Sequence, residues 1–150
     1  MSTVTINDRN EITDLVSRLG VVLDEGRFDE MAGLLVENAT VRTPGGSAEG
    51  RNALVAQAIR NHPTDRRTQH VITNLLIDVD PSDTPAKAKV RANLLVYSAP
   101  LVGVPAPAVE FTLGEIYRFD VVRTSEGWRF SRVETEAIWM SGTMPPRSRT

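Results

Sequence analysis

From Gln69 onward the apolar residues recur with a period of two, and this long alternating run limits the fold more than any other feature. His70, Ile72, Asn74, Leu76 and Asp78 fall on one face of a strand, with Val71, Thr73, Leu75, Ile77 and Val79 on the other. Asp80-Pro-Ser-Asp-Thr-Pro marks a turn. Ala86 to Ser98 is a second long strand, and Pro100 to Pro107 a proline-rich loop. Val109 to Arg123 and Trp128 to Trp139 are two further strands joined by the hairpin turn Thr124-Ser-Glu-Gly. The tail from residue 141 on, with Pro145 to Thr150 its plainest part, is expected to fray.

Upstream of Gln69 the period is helical. Ile12, Leu15, Val16, Leu19, Val22 and Leu23 share one stripe, leaving Arg9, Asp14 and Arg18 on the wet side. Asn7 or Asp8 can cap this helix, Glu11 adds acid to its first turn, and Gly26 is placed to stop it. A second short helix is expected from Phe28 to Leu35, then a short strand from Ala39 to Thr43, ended by Pro44-Gly45-Gly46. A third helix follows over Arg51 to Arg60, and residues 61–67 read as a polar loop. Helices first and long hairpin-joined strands afterwards describe an α+β domain. The expected architecture is a cone: a curved antiparallel sheet wrapped around the N-terminal helices, with a deep pocket at its open end.

With 150 residues the chain is a single domain able to bury a core, spanning about 11–139. A net charge of −2 gives no basic footprint, so nucleic acid is not an expected partner. There is no cysteine, which excludes disulfides and thiolate metal sites, and two histidines give no metal-ligand spacing. The polar start MSTVTINDRN is unlike a secretory signal. The weakly charged run Ala92 to Val109 is interrupted by Pro100, Pro105 and Pro107, so no membrane span is expected there. A cytoplasmic setting follows as the expectation.

Asp24 stands out because it follows an apolar run at the hinge between two helices. Either it caps the next turn or it looks into a cavity. Tyr97 and Tyr117, the only phenols, lie on long strands and can protonate a leaving oxygen or hold an enolate, although half-buried strand aromatics are common. Asn74 shares the His70 face and can point its amide at a bound oxygen, or bond neighbouring backbone. Arg132 alternates in step with Trp128 and Phe130, so it is the strand arginine expected inside, with Glu134 and Glu136 in the same parity; a bulge would reverse this. Trp128 and Trp139 offer apolar surface for a hydrophobic ligand, a core or a subunit contact. His62, in Asn-His-Pro, reads as a surface residue.

Several motifs in order carry a family resemblance: LDEGRFDEM, LLVENATVRTPGG, HVITN at 70–74, GEIYRF at 114–119 and VVRTSEGWRFSRV at 121–133. Together they resemble the SnoaL-like branch of the nuclear transport factor 2-like superfamily, from about Glu11 to Trp139. The resemblance implies the cone fold, a deep pocket and a homo-oligomer, commonly a dimer or trimer. Relatives include scytalone and bile-acid dehydratases, a hexachlorocyclohexane dehydrochlorinase, a steroid isomerase, epoxide hydrolases and polyketide cyclases. In the dehydratase and dehydrochlorinase type, an Asp ending the first helix pairs with a His opening a strand, and those positions match Asp24 and His70. A Tyr or Lys five residues before that Asp is replaced here by Leu19. The implied function is a cofactor-independent enzyme with His70 as base and Asp24 as its orienting partner. Its substrate would be a small hydrophobic molecule, and Asn74, Tyr97, Tyr117, Trp128, Arg132 and Trp139 are candidate binding residues. The alternative is a binding or dimerisation module in which Asp24 is only a cap and His70 a core histidine.

Overall fold

A computed structural model of the chain describes residues 4–80, 82–101 and 107–144. Residues 145–150 of the tail expected to fray and most of the proline-rich loop lie outside the described residues, whereas the last strand continues to Gly142, past the expected end at Trp139.

Helix α1 covers Ile6–Glu25. It starts one turn earlier than the sequence suggests, because Thr5 is the N-cap in a reciprocal capping box with Asp8. Glu11 is drawn away from that turn and accepts a hydrogen bond from the Trp128 backbone N–H at 2.6 Å. The helix stops at Gly26, whose left-handed φ of 65° costs a glycine little. Ile12, Leu15, Val16, Leu19 and Val22 are buried along one stripe, as their spacing requires. The second helix is shorter than expected: α2 covers Phe28–Met31 and tightens into a single 3-10 turn at Ala32–Leu34. The chain then enters β1 at Leu35, four residues ahead of the expected strand. β1 (Leu35–Thr43) turns back into β2 (Gly46–Glu49), and α3 follows over Arg51–Asn61.

Four long strands complete the fold: β3 (Arg66–Asp80), β4 (Lys87–Pro100), β5 (Phe111–Thr124) and β6 (Gly127–Gly142). Together with β1 and β2 they form one curved, unclosed sheet in the order β2-β1-β6-β5-β4-β3. Every neighbouring pair is antiparallel except β1 and β6, which run parallel. A parallel pair cannot be joined by a tight hairpin, and here the whole stretch from β2 to β5 intervenes. Helix α1 packs across the concave face against both β3 and β6. Trp128, Phe119, Phe130, Ile12, Leu19 and Leu94, among the largest fully buried side chains, fill the space between helix and sheet. The α+β architecture expected from the switch in period is the one observed.

Besides a register shift of β1 against β6 between Leu35 and Thr40, three bulges break the alternation. On β3 the register slips between Thr73 and Leu76, and Asn74 takes a left-handed φ of 57°. Opposite β5, the β6 residues Ser131 and Ile138 have no partner: Asp120 and Val121 pair with Arg132 and Phe130, while Gly114 and Glu115 pair with Trp139 and Ala137. Each bulge moves every later side chain to the other face of the sheet.

Candidate active site

Two elements meet at the end of α1. Gly20 lets β3 approach the helix, since a Cβ there would sit 3.2 Å from Ile72 Cδ1 and 3.7 Å from His70 Cβ. One turn later Asp24 faces the same strand. It accepts the His70 backbone N–H with both carboxylate oxygens, at 3.1 and 2.9 Å, and the Thr68 hydroxyl at 3.3 Å. The His70 Nδ1 lies 2.5 Å from Asp24 Oδ1. Because a carboxylate accepts, Nδ1 carries the proton and Nε2 keeps the lone pair. No hydrogen-bond partner holds Nε2 among the described residues. Asp24 does not cap α2, whose N-cap is Arg27 without a side-chain bond.

The histidine is well covered while the carboxylate stays partly open, with side chains 6% and 21% exposed. Asp24, His70, Ser17, Gly20, Val21 and Ile72 line a cleft of about 170 Å³. This is smaller than the roughly 300–1,000 Å³ of a typical ligand pocket. A larger hollow of about 370 Å³, bordered by Glu37, Arg51 and Arg129, contains neither member of the pair.

His62 is not the surface residue its Asn-His-Pro setting suggests. Its Nδ1–H donates to the Ala58 carbonyl at 2.7 Å, and its ring lies 5.7 Å from the His70 ring and 6.1 Å from Phe28. Burial holds its pKa below the ordinary histidine value, so the neutral ring is favoured.

On β5, alternate residues Glu115, Tyr117, Phe119 and Val121 point inward and are buried. Tyr117 is 3% exposed, stacks 4.5 Å from Phe119, and burial pushes its phenol far above the ordinary range, with Glu115 and then Asp24 adding to the effect. Glu115 is 8% exposed and burial raises its carboxyl pKa, opposed by a hydrogen bond from Thr135 and by the potential of His70. Thr68 and Glu115 were both readable as inward by parity, Thr68 from His70 and Glu115 from Tyr117, yet neither residue type draws attention in an alternating strand.

A family model described as the SnoaL-like domain matches residues 4–134. The chain belongs to this family. The SnoaL-like chain is also 29% identical over 145 residues to an uncharacterized protein of Mycobacterium tuberculosis strain H37Rv, covering 92% of this chain and 91% of that one. Among solved structures it resembles a protein provisionally named a scytalone dehydratase from Novosphingobium aromaticivorans. There the TM-score is 0.77 at 23% identity, over 95% of this chain and 92% of that one. It also resembles a type 2 hexachlorocyclohexane dehydrochlorinase, with a TM-score of 0.76 at 17% identity over 97% and 95% of the two chains. At these identities the structures establish the shared cone fold.

Within this SnoaL-like domain the bulges redistribute the other candidate residues. Asn74 is itself the left-handed residue of the β3 bulge and is exposed, so it does not extend the His70 face. Beyond it Leu75, Ile77 and Val79 pack against the core, while Leu76 is 61% exposed. Arg132 follows the Ser131 bulge and lies on the convex face. It pairs with Asp120 at 2.8 and 3.2 Å and with Glu134 at 2.8 Å. Glu136 is also outside, bound to Arg118 at 2.7 Å. Tyr97 lies between the inward residues Val96 and Ser98 and so faces outward. Trp139 covers the outer side of Gly114, where a Cβ would come within 2.2 Å of its ring, and is 47% exposed. Trp128 is inward but lies near the start of α1, its indole N–H donating to Asp8 at 3.0 Å. Asp24 lies sixteen positions after Asp8 on the same helix, roughly 24 Å along the axis. Only Tyr117 of the six binding candidates shares the buried concave face near the pair.

Among the described residues no helix is long and apolar enough to cross a membrane, and no group of three or more His, Cys, Asp or Glu side chains could hold a metal ion.

Proposed function

We propose that this SnoaL-like protein is a cofactor-independent enzyme that removes a proton from a small hydrophobic, polyketide- or steroid-like molecule. Elimination, isomerisation or cyclisation then follows. The observation that carries the reading is the 2.5 Å contact between Asp24 Oδ1 and His70 Nδ1. Asp24 fixes the ring tautomer and orientation, leaves Nε2 as the base, and stabilises the imidazolium formed when Nε2 takes the proton. Accepting the His70 backbone N–H as well holds the carboxylate in register with the ring. Tyr117 offers an inward phenol that stays protonated and so can donate to a developing oxyanion.

The test is turnover of a panel of aryl β-hydroxyketones and activated ketones by the wild-type protein, His70→Ala and Asp24→Asn. Loss of at least 100-fold in kcat for both variants is the expected outcome. Unchanged turnover in both would remove the base assignment.

A second reading, a non-catalytic binding or dimerisation module, is favoured by Leu19. It is buried in the core at the position where the resemblance implies a polar Tyr or Lys. The small cleft points the same way. Either reading suits a homo-oligomer, since Val109, Ile138, Trp139 and Met140 leave the end of the sheet exposed and apolar, and the proposed setting is the cytoplasm. Light scattering would measure the assembly.

A further inference from the structure

Glu115 is a buried carboxyl that the fold does not need. Its cross-strand partners are Leu94 and Ala137, both apolar, and no arginine or lysine pairs with it among the described residues. The strand cations Arg118 and Arg132 are occupied by Glu136, Asp120 and Glu134 on the convex face. Among the described residues, Thr135 is the side chain that bonds to it. A lone carboxyl in such surroundings destabilises the domain relative to an apolar or amide side chain of similar size.

Its position relates it to the Asp24–His70 pair. His70 pairs with Val96 and Glu115 with Leu94, and Val96 and Leu94 are successive inward residues of β4. Glu115 and His70 therefore flank β4 on the concave face, about 10 Å apart across the strands and one inward step apart along them. The potential of His70 acts on Glu115, and Glu115 and Asp24 both act on Tyr117. Inward carboxyl, phenol and imidazole thus occupy one neighbourhood.

We propose that Glu115 is the proton donor of this site, delivering a proton to the leaving oxygen while His70 removes one from the adjacent carbon. The assignment rests on the reading of His70 as base given above. In a β-hydroxyketone, His70 Nε2 takes the proton α to the carbonyl. The C–H electron pair forms the new C=C bond, the C–O bond breaks toward oxygen, and the Glu115 proton completes the departing water. The products are an enone, water, an imidazolium at His70 and a carboxylate at Glu115. Transfer of a proton from His70 to Glu115 through solvent restores the starting state. Glu115 supplies from β5 the acid that Leu19 cannot supply from α1.

Two ketones separate the acid from the base. 3-Hydroxy-1-tetralone must lose water, whereas its 3-acetoxy ester loses acetate, which leaves without protonation; both give fluorescent 1-naphthol. Glu115→Gln is expected to lower kcat at least 100-fold on the alcohol, with KM within threefold, and to change the ester rate less than threefold. His70→Ala should lose both reactions. If His70→Ala is inactive while Glu115→Gln keeps the alcohol rate, the Glu115 assignment falls and the base assignment stands. If both variants keep both rates, the base assignment falls and takes Glu115 with it. If neither ketone is turned over by the wild-type protein, a carboxyl ¹³C titration decides. A Glu115 signal titrating above the ordinary carboxylate range, with His70 ring signals moving in step, supports the assignment. An ordinary titration, or an indifferent His70, overturns it.

Discussion

Asp24→Asn removes one atom's worth of chemistry and should disturb three hydrogen bonds. In the native protein both carboxylate oxygens accept from the His70 backbone N–H, and Oδ1 also accepts from His70 Nδ1–H and the Thr68 hydroxyl. An asparagine keeps one acceptor oxygen. With that oxygen toward Nδ1, the amide NH₂ crowds the His70 backbone N–H. With the oxygen toward the backbone, the NH₂ faces Nδ1, and the ring must move its proton to Nε2 to accept. A hydrogen bond to a charged group contributes about 1.5–3 kcal/mol, and the partly open carboxylate places the expected loss near the middle, at about 2 kcal/mol. For a domain of this length that corresponds to a melting-temperature fall of roughly 4–8 °C. The kinetic effect should be larger. Placing the proton on Nε2 removes the base, and the comparable Asp-to-Asn change in a Ser-His-Asp triad costs about 10⁴ in kcat. Imidazole ¹⁵N spectra read the tautomer directly: Nδ1–H in the wild-type protein, a mixture or Nε2–H in the variant. An unchanged tautomer together with an unchanged melting temperature would refute the view that Asp24 orients His70.

Glu115→Gln should stabilise the domain in a pH-dependent way. Burial raises the folded pKa, so the stability tied to the neutral acid is fully present below the unfolded value near 4.5 and is lost as pH rises through the folded value. The variant should therefore melt close to wild type at pH 4 and above it at pH 8; a constant difference would contradict the burial argument. Trp128→Phe breaks the indole bond to Asp8 and should cost about 2 kcal/mol by urea denaturation. Asp8 is held far below its ordinary 3.8 by the Thr5 backbone N–H and then by Trp128. Its contribution is present above that value and lost as pH falls through the folded pKa, so the variant's acid unfolding should be shallower; a parallel curve would count against the link. Arg132→Ala should change stability by less than about 1 kcal/mol and leave turnover intact, because its partners are half-exposed on the convex face. A tenfold loss of activity would place Arg132 inside and refute the parity change at Ser131.

Much of the fold was legible because its signals are long. Six apolar residues at helical spacing outweigh any local ambiguity, and Gly26 ends the helix for a simple steric reason. Strand alternation over β4 and most of β5 follows the buried faces, since neither strand carries an extra residue, although it leaves Tyr97 outside and Gly114 buried beneath Trp139 on the outer face. The parallel pairing of β1 with β6 was not legible, because nothing local to either strand records which neighbour it will find. The cap was misplaced for a related reason. Asp8 is a good cap in isolation, but Thr5 takes the role, and Asp8 bonds Thr5 through Oδ2 while its Oδ1 holds Trp128, 120 residues away in sequence.

The site was legible only in its pair, and the bulges explain why. A single extra residue reverses every inward assignment beyond it, yet leaves composition and periodicity almost unchanged within a short window. Asn74 carried a visible hint, since Asn tolerates the left-handed region better than most residues. Ser131 and Ile138 carried none. Arg132 was therefore expected inside and lies outside, while Thr135 reaches Glu115 in the register that Ser131 creates. Without that bulge, the inward positions after Phe130 would be Arg132 and Glu134, two charges facing the concave side. With it they are Val133 and Thr135, an apolar residue and a hydroxyl. The bulge keeps charge out of the cone, and Glu115 is left as the inward carboxyl whose cost still calls for a function.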